Sequence, residues 1–325
     1  MAQWDATQFL LGAVDILRDE NGALTPLRMT PGQMALYKGD AGYHVRSLSC
    51  AGICMDCITD AETLTLRGIC SPGSSHDVWA FDVEVDGALF AHREGSIAST
   101  PEIEWDVELP RGQKRLRLYF PCLAAVALRS LMLSGAQAAS APNEGTLLCL
   151  GDSITQGYTT RFPSAAYPHR LAKAMRLSLL NEAIAGETFN PDLLLSPPSC
   201  TPALITIAYG TNDWCCKTKE QAAQDAESFL HLVRKTWPRA SLAVLGPLWR
   251  GDENAHPDRF PFSALQEILQ QAADTYHACF IDGRTLMPQI AELTADGFLH
   301  PNDLGHLLLS NRLIEMLKKR LPART

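Results

Sequence analysis

The sequence lacks any cluster of basic residues: its longest run of Lys and Arg covers only residues 318–320. Basic residues are also in the minority, because 28 Lys and Arg stand against 36 Asp and Glu, which gives a formal net charge of −8. Binding to phosphate backbones or to anionic lipid head groups requires concentrated positive charge. The composition therefore argues against nucleic acid and membrane surfaces as partners.

Long hydrophobic runs are missing too. No stretch approaches the ~20 apolar residues that a membrane span needs, and no cationic segment precedes the short apolar run at residues 9–14, unlike in a secretory signal peptide. The ten cysteines are scattered through a long chain, which favours free, mostly buried thiols over a disulfide framework. We expect a reducing, cytoplasmic location.

Several catalytic signatures are absent from the sequence. There is no Gly-x-Ser-x-Gly elbow, no phosphate-binding glycine-rich loop and no His-Glu-x-x-His helix, which argues against other hydrolase scaffolds, nucleotide-dependent enzymes and zinc proteases. Cys54 and Cys57 have the spacing of zinc ligands, but they fall within a predicted alternating strand, whereas structural zinc knuckles form at turns. We expect buried thiols there, and neither a metal nor another cofactor.

What is present is a globular composition, 46% hydrophobic and 20% charged, in 325 residues, a length sufficient for two domains. Through residues 1–140, apolar and polar side chains tend to alternate with the period of half-buried strands, and residues 85–87 supply an Asp-Gly hairpin turn. The alternating segments are residues 45–48, 53–57, 63–67, 78–83 and 115–120. This pattern predicts an all-β sandwich of jelly-roll type.

From Thr146 onward the strands become short and mostly apolar, which is typical of parallel strands buried on both faces. They lie at residues 147–150, 179–183, 204–208, 242–245 and 279–281. Helical apolar stripes occur between them, for example on residues 265–276, so we predict a three-layer α/β domain. The linker is expected within residues 135–145, and the domains at 1–140 and 141–325.

The first buried strand ends in a Gly-Asp-Ser-Ile segment at residues 151–154. Open α/β sheets bind ligands beyond the carboxyl ends of their strands, so Ser153 lies where a nucleophile is expected. The N-terminus of a following helix would direct amide groups at a developing oxyanion. Taken alone, however, Gly-Asp-Ser is a common tripeptide, and a serine that caps a helix is the simpler interpretation.

Three later segments favour the catalytic interpretation, because each follows a predicted strand or precedes the last helix. They are Asn-Glu-Ala-Ile-Ala-Gly-Glu at 181–187, Ala-Tyr-Gly-Thr-Asn-Asp at 208–213 and Asp-Gly-Phe-Leu-His-Pro-Asn-Asp at 296–303. With residues 151–154 they resemble, in order and spacing, the four blocks of the SGNH (GDSL-type) hydrolases over about residues 146–320. The resemblance implies a flavodoxin-like, three-layer αβα fold with a parallel sheet and a serine hydrolase without a cofactor.

This resemblance also implies a role for each matching residue. Ser153 would be the acyl-accepting nucleophile and His300 its general base. The backbone amides of Ser153 and Gly186, together with the side-chain amide of Asn212, would form the oxyanion hole. Glycine lets an amide approach the substrate without a Cβ in the way, and asparagine supplies a neutral donor.

The chain departs from the family pattern at the third member of the triad. The family usually places an aspartate three residues before the histidine, where this chain has Gly297. We expect Asp296 to orient His300, with Gly297 absorbing the extra residue through a positive φ. The alternative is a Ser-His dyad in which a backbone carbonyl orients the histidine.

Four aromatic residues follow strand ends or the nucleophile and are expected to line the substrate cleft: Tyr158, Phe162, Trp214 and Trp249. Aromatic walls suit sugar rings and acyl chains alike, so they do not identify the substrate. We interpret His306 as a histidine on a helix surface, and Asn302 or Asp303 as the N-cap of the last helix.

The N-terminal region is similar to the jelly-roll domain that precedes the hydrolase domain in some carbohydrate-esterase-like members, where a structural or dimerisation role is as good an interpretation as sugar binding. We expect a serine esterase that removes an acetyl or other short acyl group from a carbohydrate or similar small hydroxylated compound. An acyltransferase with the same residues is one alternative, and an inactive binding or scaffold protein is another. The sequence does not determine the oligomeric state, and a homo-oligomer is possible.

Overall fold

The computed structural model describes residues 2–135 and 137–321. The chain divides into two compact units. The first is Met1–Glu144 together with Phe162–Ser164, and the second is Gly145–Arg161 together with the chain from Ala165 onward. Phe162–Ser164 belongs to the first unit because the buried Asp82 carboxylate there accepts hydrogen bonds from the Ser164 amide (2.8 Å) and hydroxyl (2.6 Å). The domain ranges expected from the sequence stay predictions.

Antiparallel strands dominate the first unit, as the alternating pattern predicts. The strands are β1 (Ala2–Asp5), β2 (Leu10–Leu11), β3 (Asp15–Arg18), β4 (Leu24–Leu27), β5 (Cys54–Thr59), β6 (Thr63–Pro72), β7 (Trp79–Val85), β8 (Ala88–Gly95), β9 (Glu102–Glu108), β10 (Lys114–Tyr119), β11 (Ala124–Gly135) and β12 (Ala138–Ser140). One sheet has the order β3-β4-β11-β6-β9 with β1 beside β11, and the other has β12-β5-β10-β7-β8 with β2 beside β5. Both sheets contribute to one hydrophobic core, for example through Leu66 and Phe81, so the unit is a β-sandwich.

The hairpin predicted at Asp86-Gly87 is confirmed. These two residues connect the antiparallel pair β7 and β8, with φ angles of 48° and 90°. A two-residue hairpin turn with positive φ at both positions matches the twist of its strands. Asp tolerates this conformation and Gly adopts it freely, which is why this dipeptide is found here.

The strand predicted at residues 45–48 is wrong, because this segment ends a helix. The first unit contains α1 (Pro31–Tyr37) and α2 (Ala41–Ser47). Thr30 caps α1 by accepting from the Gln33 amide, and Asp40 caps α2 by accepting from the Tyr43 amide. Four residues of alternation are too few to distinguish a strand from one helical turn, and the caps were the better signal.

A parallel sheet forms the centre of the second unit. Its strands are β13 (Thr146–Gly151), β14 (Ser178–Asn181), β15 (Pro202–Ala208), β16 (Ser241–Leu245) and β17 (Cys279–Ile281). They have the order β14-β13-β15-β16-β17, which is the 2-1-3-4-5 order of flavodoxin-like folds. The predicted fold class, a β-sandwich followed by a flavodoxin-like αβα domain, is therefore confirmed.

Helices cover both faces of this sheet. They are α3 (Ser153–Gln156), α4 (Tyr167–Ala174), α5 (Thr211–Cys216), α6 (Lys219–Thr236), α7 (Ser263–Thr275) and α8 (Asp303–Arg320). Short 3₁₀ turns in the described parts of both units lie at Ala6–Phe9, Pro163–Ala165, Pro191–Leu195, Gly283–Thr285 and Ala291–Leu293. Helices α4 and α8 share a core with Leu147 and Cys149 of β13, while α6 and α7 pack together on the other face. In the described part of the chain, none of the helices has the length and apolar character needed to cross a bilayer.

All ten cysteines are free thiols. Cys54 and Cys57 lie three residues apart on β5, so their side chains point to opposite faces and cannot share one ion. Burial raises the pKa of both thiols. Among the described residues, no group of three or more His, Cys, Asp and Glu side chains is arranged to hold a metal.

Candidate active site

Ser153 begins α3, directly after the turn that ends β13. The turn requires Gly151, because a Cβ at this position would lie 2.4 Å from Thr155 Oγ1. The N-cap of the helix is Asp152, whose carboxylate accepts a hydrogen bond from the Ile154 amide at 3.0 Å. The interpretation of Ser153 as a helix cap is therefore wrong. As the first helical residue, Ser153 has an amide without a partner inside α3.

Three side chains from two distant parts of the second unit form a hydrogen-bonded chain. Ser153 Oγ lies 2.9 Å from His300 Nε2, and His300 Nδ1 lies 2.6 Å from Asp296 Oδ2. Both distances are within hydrogen-bond range. The structure thus brings together the three residues that the sequence proposed as nucleophile, base and orienting acid, and the carboxylate lies at the atom where the dyad alternative requires a backbone carbonyl.

The turn from Asp296 to His300 is built around the Asp296 carboxylate. Oδ1 accepts hydrogen bonds from the amides of Phe298 (3.1 Å), Leu299 (2.8 Å) and His300 (3.1 Å). Gly297 has φ of 82°, as expected for the residue that absorbs the additional position. Burial raises the pKa of Asp296, but hydrogen bonds from these amides and from the His300 ring outweigh it and lower the pKa below its usual value. Asp296 is therefore an ionised carboxylate at neutral pH.

The segment containing Gly186 is tied to the nucleophile turn by side chains that the sequence analysis did not single out. Asn181 Nδ2 donates to the Thr155 carbonyl (2.8 Å), and the Ala185 amide donates to Gln156 Oε1 (2.7 Å). Gly186 itself is exposed and has φ of 86°. Two features of the sequence could have indicated these roles: Asn181 is a polar residue at the end of an apolar strand, and Gln156 lies two residues after the Gly-Asp-Ser-Ile segment.

Asn212 connects the third segment to the second. It is the second residue of α5, is half-buried, and its Nδ2 donates to the Glu187 carbonyl at 2.9 Å. An amide nitrogen carries two protons, so one remains for another acceptor. The neighbouring Asp213 is buried and forms an ion pair with Lys217 at 2.9 Å, which fixes the side of α5 that faces away from solvent.

The four predicted cleft aromatics have different environments. The Tyr158 ring lies 4.9 Å from the His300 ring, and the half-buried Trp249 lies close to Gly251 in the loop after β16. Phe162 belongs to the first unit, where its ring lies 4.3 Å from His92. Trp214 is 1% exposed and packs in a core cluster with Phe262 and Leu265, so the prediction that its ring lines the cleft is wrong.

His306 is not on the helix surface as predicted, because it is fully buried against Tyr167. Its Nδ1 accepts a hydrogen bond from the Tyr167 amide at 3.3 Å. Burial, together with the nearby His300, lowers the pKa of His306 to about 3. The N-cap prediction for α8 is confirmed for Asn302, whose Oδ1 accepts from the Gly305 amide.

Comparison with known proteins gives a family match within the second unit. Residues 149–308 match the model of the GDSL-like Lipase/Acylhydrolase family. This range contains all four motif segments and ends within α8. No curated protein matches the chain significantly in sequence.

Solved structures resemble the chain over nearly its whole length. A salicylyl-acyltransferase, SsfX3, from a tetracycline biosynthetic pathway has a TM-score of 0.83 at 21% identity and covers 99% of both chains. A family two carbohydrate esterase from Cellvibrio japonicus has a TM-score of 0.64 at 16% identity and covers 98% of this chain and 97% of its own. An acetyl xylan esterase from Butyrivibrio proteoclasticus has a TM-score of 0.63 at 15% identity, with 98% of both chains covered. Identities this low establish the fold alone.

Asp152, the residue directly before the nucleophile, is a carboxyl group whose negative charge is unfavourable in the fold. It is 4% exposed. Burial, to which the nearby Asp213 adds, raises its pKa to about 7 in spite of the hydrogen bond from the Ile154 amide, which lowers it. In the unfolded chain an aspartate ionises near pH 4, so between about pH 4 and 7 the folded protein holds a proton that the unfolded chain has lost.

This difference makes stability fall as the pH rises through that window, because the folded state binds the additional proton. Asp152→Asn keeps an oxygen for the Ile154 amide and has no charge to bury. We expect its free energy of unfolding, measured by urea denaturation at pH 5, 6, 7 and 8, to fall less steeply than that of the wild type, by about a few kcal/mol over the series. Asp192→Asn, at an exposed carboxyl group, should keep the wild-type slope. Equal slopes for Asp152→Asn and the wild type would mean that Asp152 is not protonated in the fold.

Proposed function

Because the chain belongs, through residues 149–308, to the GDSL-like lipase/acylhydrolase family of enzymes, we propose that it is a serine esterase acting through an acyl-enzyme. The observation that carries this proposal is the hydrogen-bonded chain from Asp296 through His300 to Ser153. A serine hydroxyl is a weak nucleophile at neutral pH, and an adjacent base that is itself oriented by a third group is the usual means of activating it.

The first half-reaction follows from the positions of these atoms. Ser153 Oγ attacks the carbonyl carbon of the ester while its proton moves to His300 Nε2, 2.9 Å away. The ionised Asp296 carboxylate at Nδ1 stabilises the resulting imidazolium and keeps the unprotonated nitrogen directed at the serine. When the tetrahedral intermediate collapses, His300 returns the proton to the leaving alcohol and the acyl group stays on Ser153.

The negative charge that develops on the carbonyl oxygen needs donors already in place. The Ser153 amide, at the start of α3, and the amide of the exposed Gly186, in a segment hydrogen-bonded to the nucleophile turn, are two such donors. The second proton of the Asn212 side-chain amide is the third, since the first is fixed on the Glu187 carbonyl. These bonds support an oxyanion site that requires little rearrangement during the reaction.

The second half-reaction transfers the acyl group to water. We assign a short acyl group, such as acetyl, on a carbohydrate or similar small hydroxylated compound as the substrate. The fold shared with an acetyl xylan esterase and with a carbohydrate esterase supports this class, and Tyr158 beside His300 offers an aromatic surface to a ring. Free thiols throughout the chain support a reducing, cytoplasmic setting.

An acyltransferase is the second candidate, because the solved structure with a TM-score of 0.83 is a salicylyl-acyltransferase. The same Ser153, His300 and oxyanion donors would serve, with an acceptor alcohol replacing water in the second half-reaction. The two activities differ only in which nucleophile reaches the acyl-enzyme.

Turnover of a substrate panel tests the proposal and separates the two candidates. We expect wild type to cleave 4-nitrophenyl esters of short acyl groups and acetylated sugars, and Ser153→Ala to lose about 10⁶-fold in rate with an unchanged circular dichroism spectrum. Ser199→Ala, at an exposed serine of the same unit, should keep full activity. Product analysis with an added acceptor alcohol distinguishes free acid from a new ester. More than a small residual activity in Ser153→Ala would rule out the serine mechanism.

Asp296→Asn separates the triad from the dyad. Asn can keep an oxygen toward the amides of residues 298–300, but its NH₂ would face His300 Nδ1 and force the ring proton onto Nε2, where the serine proton must go. We expect kcat/KM to fall by about 10⁴-fold while the protein remains folded. Asp192→Asn is again the matched control. If Asp296→Asn keeps activity within about tenfold of the wild type, the carboxylate is a turn residue only.

A further inference from the structure

The loop between β16 and α7, residues 246–262, contacts the elements that carry two of the proposed site residues. The Gly251 amide donates to the Phe298 carbonyl at 2.7 Å, two residues before His300. On the other side, Arg250 Nη1 donates to Thr211 Oγ1 at 3.1 Å, one residue before Asn212. The loop therefore borders the site between the histidine turn and α5.

Arg250 holds this loop in place, and the carboxylate of Asp252 compensates its charge. It is 4% exposed, and its guanidinium forms two hydrogen bonds with the Asp252 carboxylate at 2.6 and 2.8 Å. The guanidinium also lies 4.8 Å from the centre of the Trp214 ring. A bidentate pair of this kind is well ordered and leaves no charge for a ligand.

Arg259 differs from Arg250 in lacking a carboxylate partner. Its guanidinium carbon lies 4.7 Å from the centre of the same Trp214 ring, and its Nη1 donates to Cys215 Sγ at 3.5 Å. Among the described residues, no carboxylate oxygen lies within 4 Å of it. The side chain is half-buried and held by the ring, so it is a positioned cation with most of its five N–H groups still available.

The position of Arg259 relative to the site follows from the helix that it touches. Cys215 is three residues after Asn212 on α5, and residues three apart on a helix share a side with their Cβ atoms about 5–6 Å apart. Arg259 therefore lies beside the helical turn that carries the third proposed oxyanion donor. An uncompensated guanidinium at this point attracts anions through its local charge.

We propose that Arg259 binds an anionic group, a carboxylate in the simplest case, on the ester that this site processes. The assignment rests on the proposed esterase function and narrows its substrate class to charged esters. A planar guanidinium binds a carboxylate through two parallel hydrogen bonds, and stacking on Trp214 holds that plane in place before the substrate arrives. The anion belongs either to the acyl group or to the alcohol, and both share this chemistry.

Two matched substrate pairs distinguish these sources. For the acyl group the pair is mono-4-nitrophenyl succinate and 4-nitrophenyl pentanoate, and for the alcohol it is 4-acetoxybenzoate and its methyl ester. The readout is the ratio of kcat/KM between the charged and the neutral member of each pair. In Arg259→Gln we expect this ratio to fall by about tenfold or more for one pair, the size of a charge-assisted hydrogen bond, with kcat/KM for the neutral esters within about twofold of the wild type.

Two further variants separate local binding from general charge. Arg259→Lys keeps the charge and should retain part of the ratio. Arg239→Gln removes the same charge from an exposed turn before β16 and should leave the ratio unchanged. An unchanged ratio for both pairs in Arg259→Gln, with neutral esters still cleaved, overturns the anion site and leaves the esterase proposal intact.

If no ester is turned over, the proposed esterase function is wrong. The anion site at Arg259 can then still be tested by measuring the binding of analogues that the protein cannot cleave. The probes are N-(4-nitrophenyl)succinamate and 4-acetamidobenzoate, each titrated calorimetrically beside its neutral counterpart, N-(4-nitrophenyl)pentanamide or methyl 4-acetamidobenzoate. Wild type should bind one charged probe about tenfold more tightly than Arg259→Gln does. Equal dissociation constants for wild type and Arg259→Gln with both charged probes contradict the proposal.

Discussion

The two oxygens of the Asp296 carboxylate serve different parts of the site. Oδ1 accepts the amides of residues 298–300 and so determines the shape of the turn, while Oδ2 lies 2.6 Å from His300 Nδ1. The turn that positions the histidine and the bond that orients its ring therefore depend on one group. The extra residue relative to the usual family spacing is accommodated at Gly297, whose φ of 82° would strain any residue with a Cβ.

The remaining site elements are connected by hydrogen bonds between loops rather than by the sheet alone. Asn181 reaches the carbonyl of Thr155 behind the nucleophile, and Asn212 reaches the carbonyl of Glu187. The first bond joins the end of β14 to α3, which follows the neighbouring strand β13, and the second joins the segments after β15 and β14, the strands on either side of β13. Because the parallel order places the carboxyl ends of β13, β14 and β15 side by side, short side chains are sufficient to make these connections.

The sequence carried much of this architecture because local patterns specify it. Apolar runs in β13 and β15 predicted buried parallel strands, the Asp86-Gly87 pair predicted a hairpin, and Asn302 predicted a helix start. Each of these depends on a period or on a side chain that bonds to its own backbone, so a few neighbouring residues suffice to reveal it.

Features that depend on distant contacts could not be predicted in the same way. Trp214 and His306 follow site motifs in the sequence, yet both side chains are buried, and only the packing of α7 against α5 and of α4 against α8 reveals this. The loop at residues 246–262 contains no motif, and the difference between Arg250 and Arg259 lies in whether a carboxylate is within reach. Such a difference exists only in three dimensions.

The most direct test of the account is covalent labelling of the nucleophile with an alkyl fluorophosphonate, followed by intact-mass measurement and peptide mapping. The reagent reacts with a serine that a neighbouring base activates and leaves ordinary serines unmodified. We expect one adduct per chain, located on Ser153, and strongly reduced labelling in His300→Ala. An adduct on another residue, or labelling of Ser153 that does not depend on His300, would contradict the hydrogen-bonded chain from Asp296 to Ser153 as the source of reactivity.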